Sequence, residues 1–379
     1  MHVHWGWIKQ RPQFIAENLS LSGEYQVSVF CESSYKKEKL TNKKLNSALE
    51  VHELSRLPFG RFRLIRWINS IFYKKQLKKS FAKADVIWIT YPYLYEWIAG
   101  MKLNNAKLIY DCMDDALEAP NIKDNALVRN NLFLLEKKIV KRANVIFASS
   151  DNLKRKLIQR YALNSDAIHV INNALSIPNC IKKTDYSNNF LMLKKELLNV
   201  QLKKIMYLGT IGKWIDFDLI HQSLALFPDI VYVFIGPKEN NPIAHERLLF
   251  FPPITHHEVF DAMALADALI MPFVVSEFIL GVNPVKVYEY IHSTKPAIVV
   301  AYPETDKFSD YVNLYRNKEE FFDFISCLVS NKLEMKASAE RSSAYIHQNT
   351  WMSRSKFILD VLKETLQKSP NCVLVVSPR

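Results

Sequence analysis

Short apolar runs alternate with helix-like stretches along the whole chain, and this alternation limits the possible folds more than any other feature. In the first half the runs are 25–30, 85–90, 107–111, 145–149 and 168–171. In the second half they are 204–209, 231–236, 248–251, 268–271 and 297–300. Strands in this pattern predict parallel sheets joined by helical crossovers, and so an α/β chain. A length of 379 residues is too much for one core, so two domains are expected. We expect the first over 1–180 and the second over 200–350. The polar stretch of about 178–202 reads as a linker, and 351–368 as a final amphipathic helix. The apolar tail Cys372-Val-Leu-Val-Val-Ser-Pro-Arg379 fits no place in this pattern.

The segment Gly281-Val-Asn-Pro-Val-Lys-Val-Tyr-Glu-Tyr-Ile-His-Ser-Thr-Lys-Pro296 lies between two apolar strands. It reads as loop, helix and tight turn. Pro284 suits a helix start, where its missing N–H costs nothing. Backbone N–H groups at such a start bind anions, phosphates above all. Glu289, five residues on, is placed to accept hydrogen bonds from a sugar or ribose diol.

Asn283-Pro-x-Lys286-x-Tyr-Glu289-Tyr, with Lys295-Pro296 and the strand after it, resembles the donor-site signature of GT-B glycosyltransferases, closest to family 4. The resemblance extends to Arg11-Pro-Gln-Phe-Ile-Ala, to Tyr110-Asp-Cys-Met-Asp-Asp115 and to the loop after 204–209. It implies two Rossmann-like domains facing a central cleft, with the 351–379 segment crossing back to the first domain. It implies glycosyl transfer from a nucleotide-diphosphate sugar to a hydroxyl, with the donor in the second domain and the acceptor in the first. Glu289 would hold the ribose, and Gly281, Val282, Asn283 and Lys286 would line the donor site. In the usual E-x7-E signature Gly281 stands where the first Glu is expected, so the sugar contact departs from the pattern while the nucleotide contact is kept. Retention of anomeric configuration follows from the resemblance alone. The family also has a full strand before the Arg-Pro-Gln helix, and we expect part of that strand to be missing here.

Other constellations carry chemistry of their own. Asp111, Asp114 and Asp115 directly follow a strand, where carboxylates orient or deprotonate an acceptor hydroxyl; capping of a helix by Asp is the alternative. Trp5 and Trp7 beside Arg11 read as a sugar platform for the acceptor. His2 and His4 lack a third ligand at matching spacing. In Gly209-Thr-Ile-Gly-Lys213 the glycines allow a ligand close to the backbone. Lys213 or Lys286 would neutralise a diphosphate leaving group, so no metal and no cofactor is implied. Thr255-His-His-Glu258 fits a capping box better than a metal site.

Composition narrows the class. Among 8 glycines there is no GxGxxG or GxxxxGKS, so no dinucleotide or P-loop signature exists. The five cysteines are scattered and never form CxxC, which predicts reduced thiols in a cytoplasmic protein. No basic leader or 18-residue apolar run is present. The formal charge is +12, and residues 35–83 hold 14 Lys or Arg against 3 Glu, or 14 − 3 = +11. A stripe of Leu64, Ile65, Ile68, Ile71 and Phe72 lies within this segment at helical spacing. Residues 56–83 therefore read either as a helix on anionic lipid or as a packed helix with a solvated basic face. A lipid-linked saccharide acceptor at the inner face of the plasma membrane accounts for the basic segment. It points to surface polysaccharide assembly such as O-antigen or capsule. A nucleotide-sugar 2-epimerase of the same fold would leave the segment unexplained. A nucleic-acid-binding protein would leave Glu289 without purpose, so no nucleic-acid partner is expected.

Overall fold

The computed structural model describes residues 5, 9–32, 43–55, 57–58, 63–101, 103, 105–176, 186–366 and 372–377. The first half runs α1 (Arg11–Leu21), β1 (Tyr25–Glu32), β2 (Lys43–Asn46), β3 (Leu49–Leu54), α2 (Arg63–Phe81) and β4 (Val86–Ile89). It continues with α3 (Tyr95–Ile98), β5 (Lys107–Cys112), α4 (Ala126–Arg142), β6 (Val145–Ala148), α5 (Asp151–Tyr161) and β7 (Ile168–Val170). The second half runs α6 (Asn188–Leu198), β8 (Lys203–Leu208), α7 (Phe217–Leu226), β9 (Ile230–Ile235), β10 (Leu248–Phe251), α8 (Val259–Ala264) and β11 (Ala268–Met271). Then come α9 (Val285–Ser293), β12 (Ala297–Val300), β13 (Asn313–Tyr315), α10 (Lys318–Val329) and α11 (Ala339–Gln348), with α12 (Trp351–Leu366) and β14 (Cys372–Ser377) closing the chain.

The chain forms two compact units, one of 1–173 with 351–379 and one of 174–350. Each is built on one sheet. The first sheet has the order β2-β3-β1-β14-β4-β5-β6-β7 and the second β10-β9-β8-β11-β12-β13. Among the described residues these strands all pair in parallel except β2 with β3. Strands β4, β6, β9, β11 and β12 are buried along their whole length, as strands covered on both faces require. Side-chain caps start the crossover helices: Asn125 for α4, Ser150 for α5 and Asp216 for α7 each accept a backbone N–H.

In the first unit Ile87, Leu108 and Ile146 meet Tyr73, Leu77, Trp97, Ile139 and Leu153 from the helices. The final helix α12 lies on α1, where Trp351 stacks on Phe14 with ring centroids 5.3 Å apart. In the second unit Ile205, Val233, Leu269 and Ile298 form the centre.

Three stretches differ from the sequence-based expectation. The polar stretch taken as a linker contains α6, capped by Ser187, with Phe190, Leu193 and Leu197 buried at spacings of three and four. Those three side chains join the core of the second unit, and the surrounding polar residues masked that stripe. The basic segment contains the antiparallel pair β2–β3, which feeds β1. The apolar tail is a strand, β14, inserted between β1 and β4.

Leu193→Ala should therefore destabilise the protein by about 2–5 kcal/mol, as a buried Leu truncation does, measured as a lowered urea midpoint. A change within about 0.5 kcal/mol, typical of surface substitutions, would return α6 to the role of a linker.

Candidate functional site

In the second unit the chain passes from β8 outward to β9 and β10, then crosses to the other side of β8 and continues through β11, β12 and β13. The order reverses between β8 and β11. Ligands of open α/β sheets bind beyond the strand ends at such a reversal, so the loops after β8 and β11 are the place to look.

The loop after β8 starts with Gly209 at φ 151°, a backbone that side chains rarely adopt. A Cβ there would meet Tyr207 Oη at 2.8 Å and Lys286 Cε at 3.3 Å. Gly236 follows β9 at φ 146°, and a Cβ on it would meet the Gly209 carbonyl oxygen at 2.1 Å. The two loops therefore interlock through glycines. Farther along, Lys213 is exposed, and the Trp214 ring lies where a Cβ on Gly212 would be, 2.5 Å away.

Helix α9 follows Pro284, which occupies its N-cap. Its first turns carry Lys286 and, three residues later, the buried Glu289. Lys286 Nζ donates to Glu289 Oε2 at 2.8 Å. Gly209, Lys286 and Glu289, named separately from the sequence, thus come together beside the strand reversal.

Gly281 and Asn283 are buried and Val282 is partly exposed. The Asn283 side-chain amide donates to Glu304 at 3.1 Å, and Tyr302 Oη donates to the Val282 carbonyl at 3.0 Å. Lys307 pairs with the same Glu304 at 2.9 Å. Sequence reasoning missed Tyr302 and Glu304. Their signal was position: they follow β12, a neighbour of β11 in the sheet, and lie beyond its end. At 255–258 the capping box forms, with Glu258 accepting from the Thr255 N–H. Among the described residues no group of three or more His, Cys, Asp or Glu could hold a metal ion.

In the first unit the Arg11 guanidinium is buried and grips Asp111. Nε lies 3.1 Å from both carboxylate oxygens, and Nη2 lies 2.9 Å from Oδ1. Nη1 donates to the Ile171 carbonyl at 2.6 Å. Asp111 is 0% exposed, so its carboxylate is spent on orienting Arg11. Asp115 is also buried, paired with Arg160 at 2.8 Å and Lys156 at 3.4 Å. Arg160 continues to Glu136, which accepts from Tyr110 Oη and Tyr161 Oη, both at 2.6 Å.

Asp114, between these two, is solvent-accessible. Protein atoms crowding it nevertheless desolvate the carboxyl and push its pKa up to about 7; Arg11 opposes the rise, and Asp115 and Asp111 add to it. Of the three carboxyls it is the one open to solvent. Trp5 is half-buried, while Trp7 lies outside the described residues.

Helix α2 turns Asn69, Ser70, Tyr73, Leu77 and Phe81 toward the protein. The Asn69 side chain brackets the backbone of Leu57, and Tyr73 Oη donates to Glu32 at 3.0 Å. The expected apolar stripe mostly faces out: Leu64 is 65% exposed, Ile71 47% and Phe72 50%, with Ile65 and Ile68 half-buried, and Trp67 beside it is 61% exposed. The inward face is partly polar and satisfied by hydrogen bonds, which apolar periodicity does not reveal. Lys75, Lys78 and Lys79 are exposed on the same helix. Among the described residues no helix is long and apolar enough to cross a membrane.

Comparison with known proteins follows the same lines. The model of Glycosyltransferase Family 4 matches residues 15–177. A protein of Bacillus subtilis strain 168 named for glycosyl transfer in teichuronic acid biosynthesis, TuaH, is 26% identical over 295 residues, covering 71% of this chain and 69% of its own. Sucrose-phosphate synthase from Thermosynechococcus elongatus superposes with a TM-score of 0.71 at 12% identity, over 94% of this chain and 93% of that one. Anabaena HepE in complex with UDP-glucose superposes with a TM-score of 0.61 at 12% identity, over 89% and 99%. The chain is a glycosyltransferase of the GT-B fold, resembling family 4.

The raised Asp114 carboxyl gives a pH test. Its folded pKa lies above the unfolded value, so its contribution to stability is fully present below about pH 4 and is lost as pH rises through 7. Asp114→Asn should remove that dependence, and its melting temperature should gain on wild type between pH 5 and 8. A carboxyl carbon of Asp114 that titrates near 4 by NMR would refute this assignment.

Proposed function

We propose that this GT-B glycosyltransferase moves a sugar from a nucleotide-diphosphate sugar to a hydroxyl of a lipid-linked saccharide during synthesis of a cell-surface polymer. The observation that carries the reading is the meeting of Gly209, Lys286 and the buried Glu289 at the strand reversal of the second unit. Glycine lets a diphosphate approach the backbone, the start of α9 and Lys286 supply positive potential, and Glu289 accepts from a ribose diol. Lys213, exposed on the neighbouring loop, adds charge for the leaving diphosphate, so the chemistry has its electrostatic stabilisation without a metal. The UDP-glucose bound by HepE and the polymer named for TuaH support a nucleotide-sugar donor and a surface-polymer product. The retaining course rests on the likeness to family 4.

The acceptor belongs to the first unit in this reading. Asp114 handles the acceptor proton, its pKa near 7 suiting a group that must both take and release one. Asp111 acts through Arg11, which it holds. Arg11, Trp5 and Trp7 orient the saccharide, and Asp115 fixes the loop through Arg160. The outward face of α2, apolar along Leu64, Trp67, Ile71 and Phe72 and flanked by lysines, rests on the anionic inner leaflet, where a lipid-linked acceptor is reached.

Incubation with a panel of labelled nucleotide sugars, read as nucleotide release, tests the activity directly. Glu289→Ala should weaken binding of the matching nucleoside diphosphate by about 1.5–3 kcal/mol in calorimetry; unchanged affinity would remove the central claim. For the membrane face, flotation should show binding to acidic liposomes, little to neutral ones, and release at high salt as screening shortens. Changing Lys74, Lys75, Lys78 and Lys79 to Gln should abolish flotation, each having contributed about 1 kcal/mol, and leave activity on a short soluble acceptor intact. Equal flotation on both lipids would reduce α2 to a packed surface helix.

A further inference from the structure

The strand reversal of the first sheet lies between β1 and β4, and those two strands do not pair with each other. β14 lies between them. Its register with β1 runs from Tyr25↔Cys372 to Val29↔Val376, and with β4 from Leu374↔Val86 to Ser377↔Ile89. Both pairings are parallel. The sequence of this segment, Cys-Val-Leu-Val-Val-Ser, is a short uncharged run rich in valine, as central parallel strands are.

The position has a further property. A parallel strand is normally followed by a helix that leads to its neighbour in the sheet. β1 is preceded in the chain by α1, and α1 packs on β1. The strand that would complete a β–α–β unit with them must lie beside β1, parallel to it and on the β4 side, since β3 occupies the other side. That is where β14 lies. In sense and position the last strand of the chain does the work of a strand leading into α1.

We propose that the slot between β1 and β4 is a strand-acceptor site, that residues 372–377 are its occupant, and that the site takes this segment equally well when it is joined ahead of residue 1. The fold is then indifferent to which end of the chain delivers the strand. Joining Arg379 to Met1 leaves residues 378–379 and 1–10 between β14 and α1, twelve residues in all. Such a connection reaches up to roughly 40 Å when extended, enough to return from a strand end to the start of a neighbouring helix. β14 also ends at the edge of the sheet from which the Asp111–Asp115 loop leaves β5, because β14, β4 and β5 are parallel. Losing the strand therefore opens the sheet beside the proposed acceptor loop.

The test compares three forms of the protein: the full chain, a chain lacking residues 370–379, and a chain with 370–379 moved directly ahead of Met1. In the full chain, amide exchange should be slow at residues 25–29 and at 86–89. The shortened chain should exchange rapidly at both and melt at least about 5 °C lower, a shift expected from loss of a few kcal/mol in a unit of this size. The relocated chain should recover slow exchange at both segments and melt within about 2 °C of the full chain. Rapid exchange at 25–29 or 86–89 in the full chain would show that the tail does not fill the slot. Equal melting of full and shortened chains would show the same. A relocated chain that behaves like the shortened one would refute delivery from the α1 side. None of these readouts depends on sugar transfer, so they stand or fall apart from the proposed activity.

Discussion

One guanidinium organises the first unit. Arg11 opens α1, grips Asp111 at the end of β5, bonds the Ile171 carbonyl just beyond β7, and lies 6.0 Å from the Trp351 ring of α12. A buried charge of this kind is tolerable only because its partner is buried with it and because the remaining donors are satisfied. Removing either partner strands the other, typically at a cost of about 3–5 kcal/mol. The pair therefore fixes the register of a helix, two strand ends and the last helix at once. It also sets the field around Asp114, whose carboxyl feels Arg11 as its main opposing charge.

The second unit uses a different device for the same end. There the close approach is made by glycines rather than by ions. Gly209 and Gly236 let two loops interlock, and Lys286 and Glu289 pair beside them on α9. The charge pair beside them joins two residues of a single helix, whereas the pair of the first unit joins residues 100 positions apart.

How far the sequence disclosed this depended on the range of the interaction. Gly209, Lys286 and Glu289 were legible because each belongs to a short strand–loop–helix pattern, and the β8–β12 strands followed from apolar runs alone. The three aspartates of 111–115 were legible as a cluster and not as separate roles. Their partners Arg11 and Arg160 lie 100 and 45 residues away, and only folding shows which carboxylate is occupied and which is accessible. Helix α6 was hidden because polar residues flank it and Lys194-Lys195-Glu196 interrupt its apolar positions. The tail was unreadable for a topological reason: nothing in a short apolar run says that it will pair with strands from the opposite end of the chain.

The stack of Trp351 on Phe14 has a consequence for how the protein is made. The second unit, 174–350, is contiguous, while the first needs α12 to cover α1. At about 5–20 residues per second, a nascent first unit waits roughly 10–35 s while 174–350 is synthesised. During that interval Phe14 and the other apolar positions of α1 have no covering helix. The later-synthesised unit is thus free to finish folding first, and chaperone demand should concentrate on the earlier one.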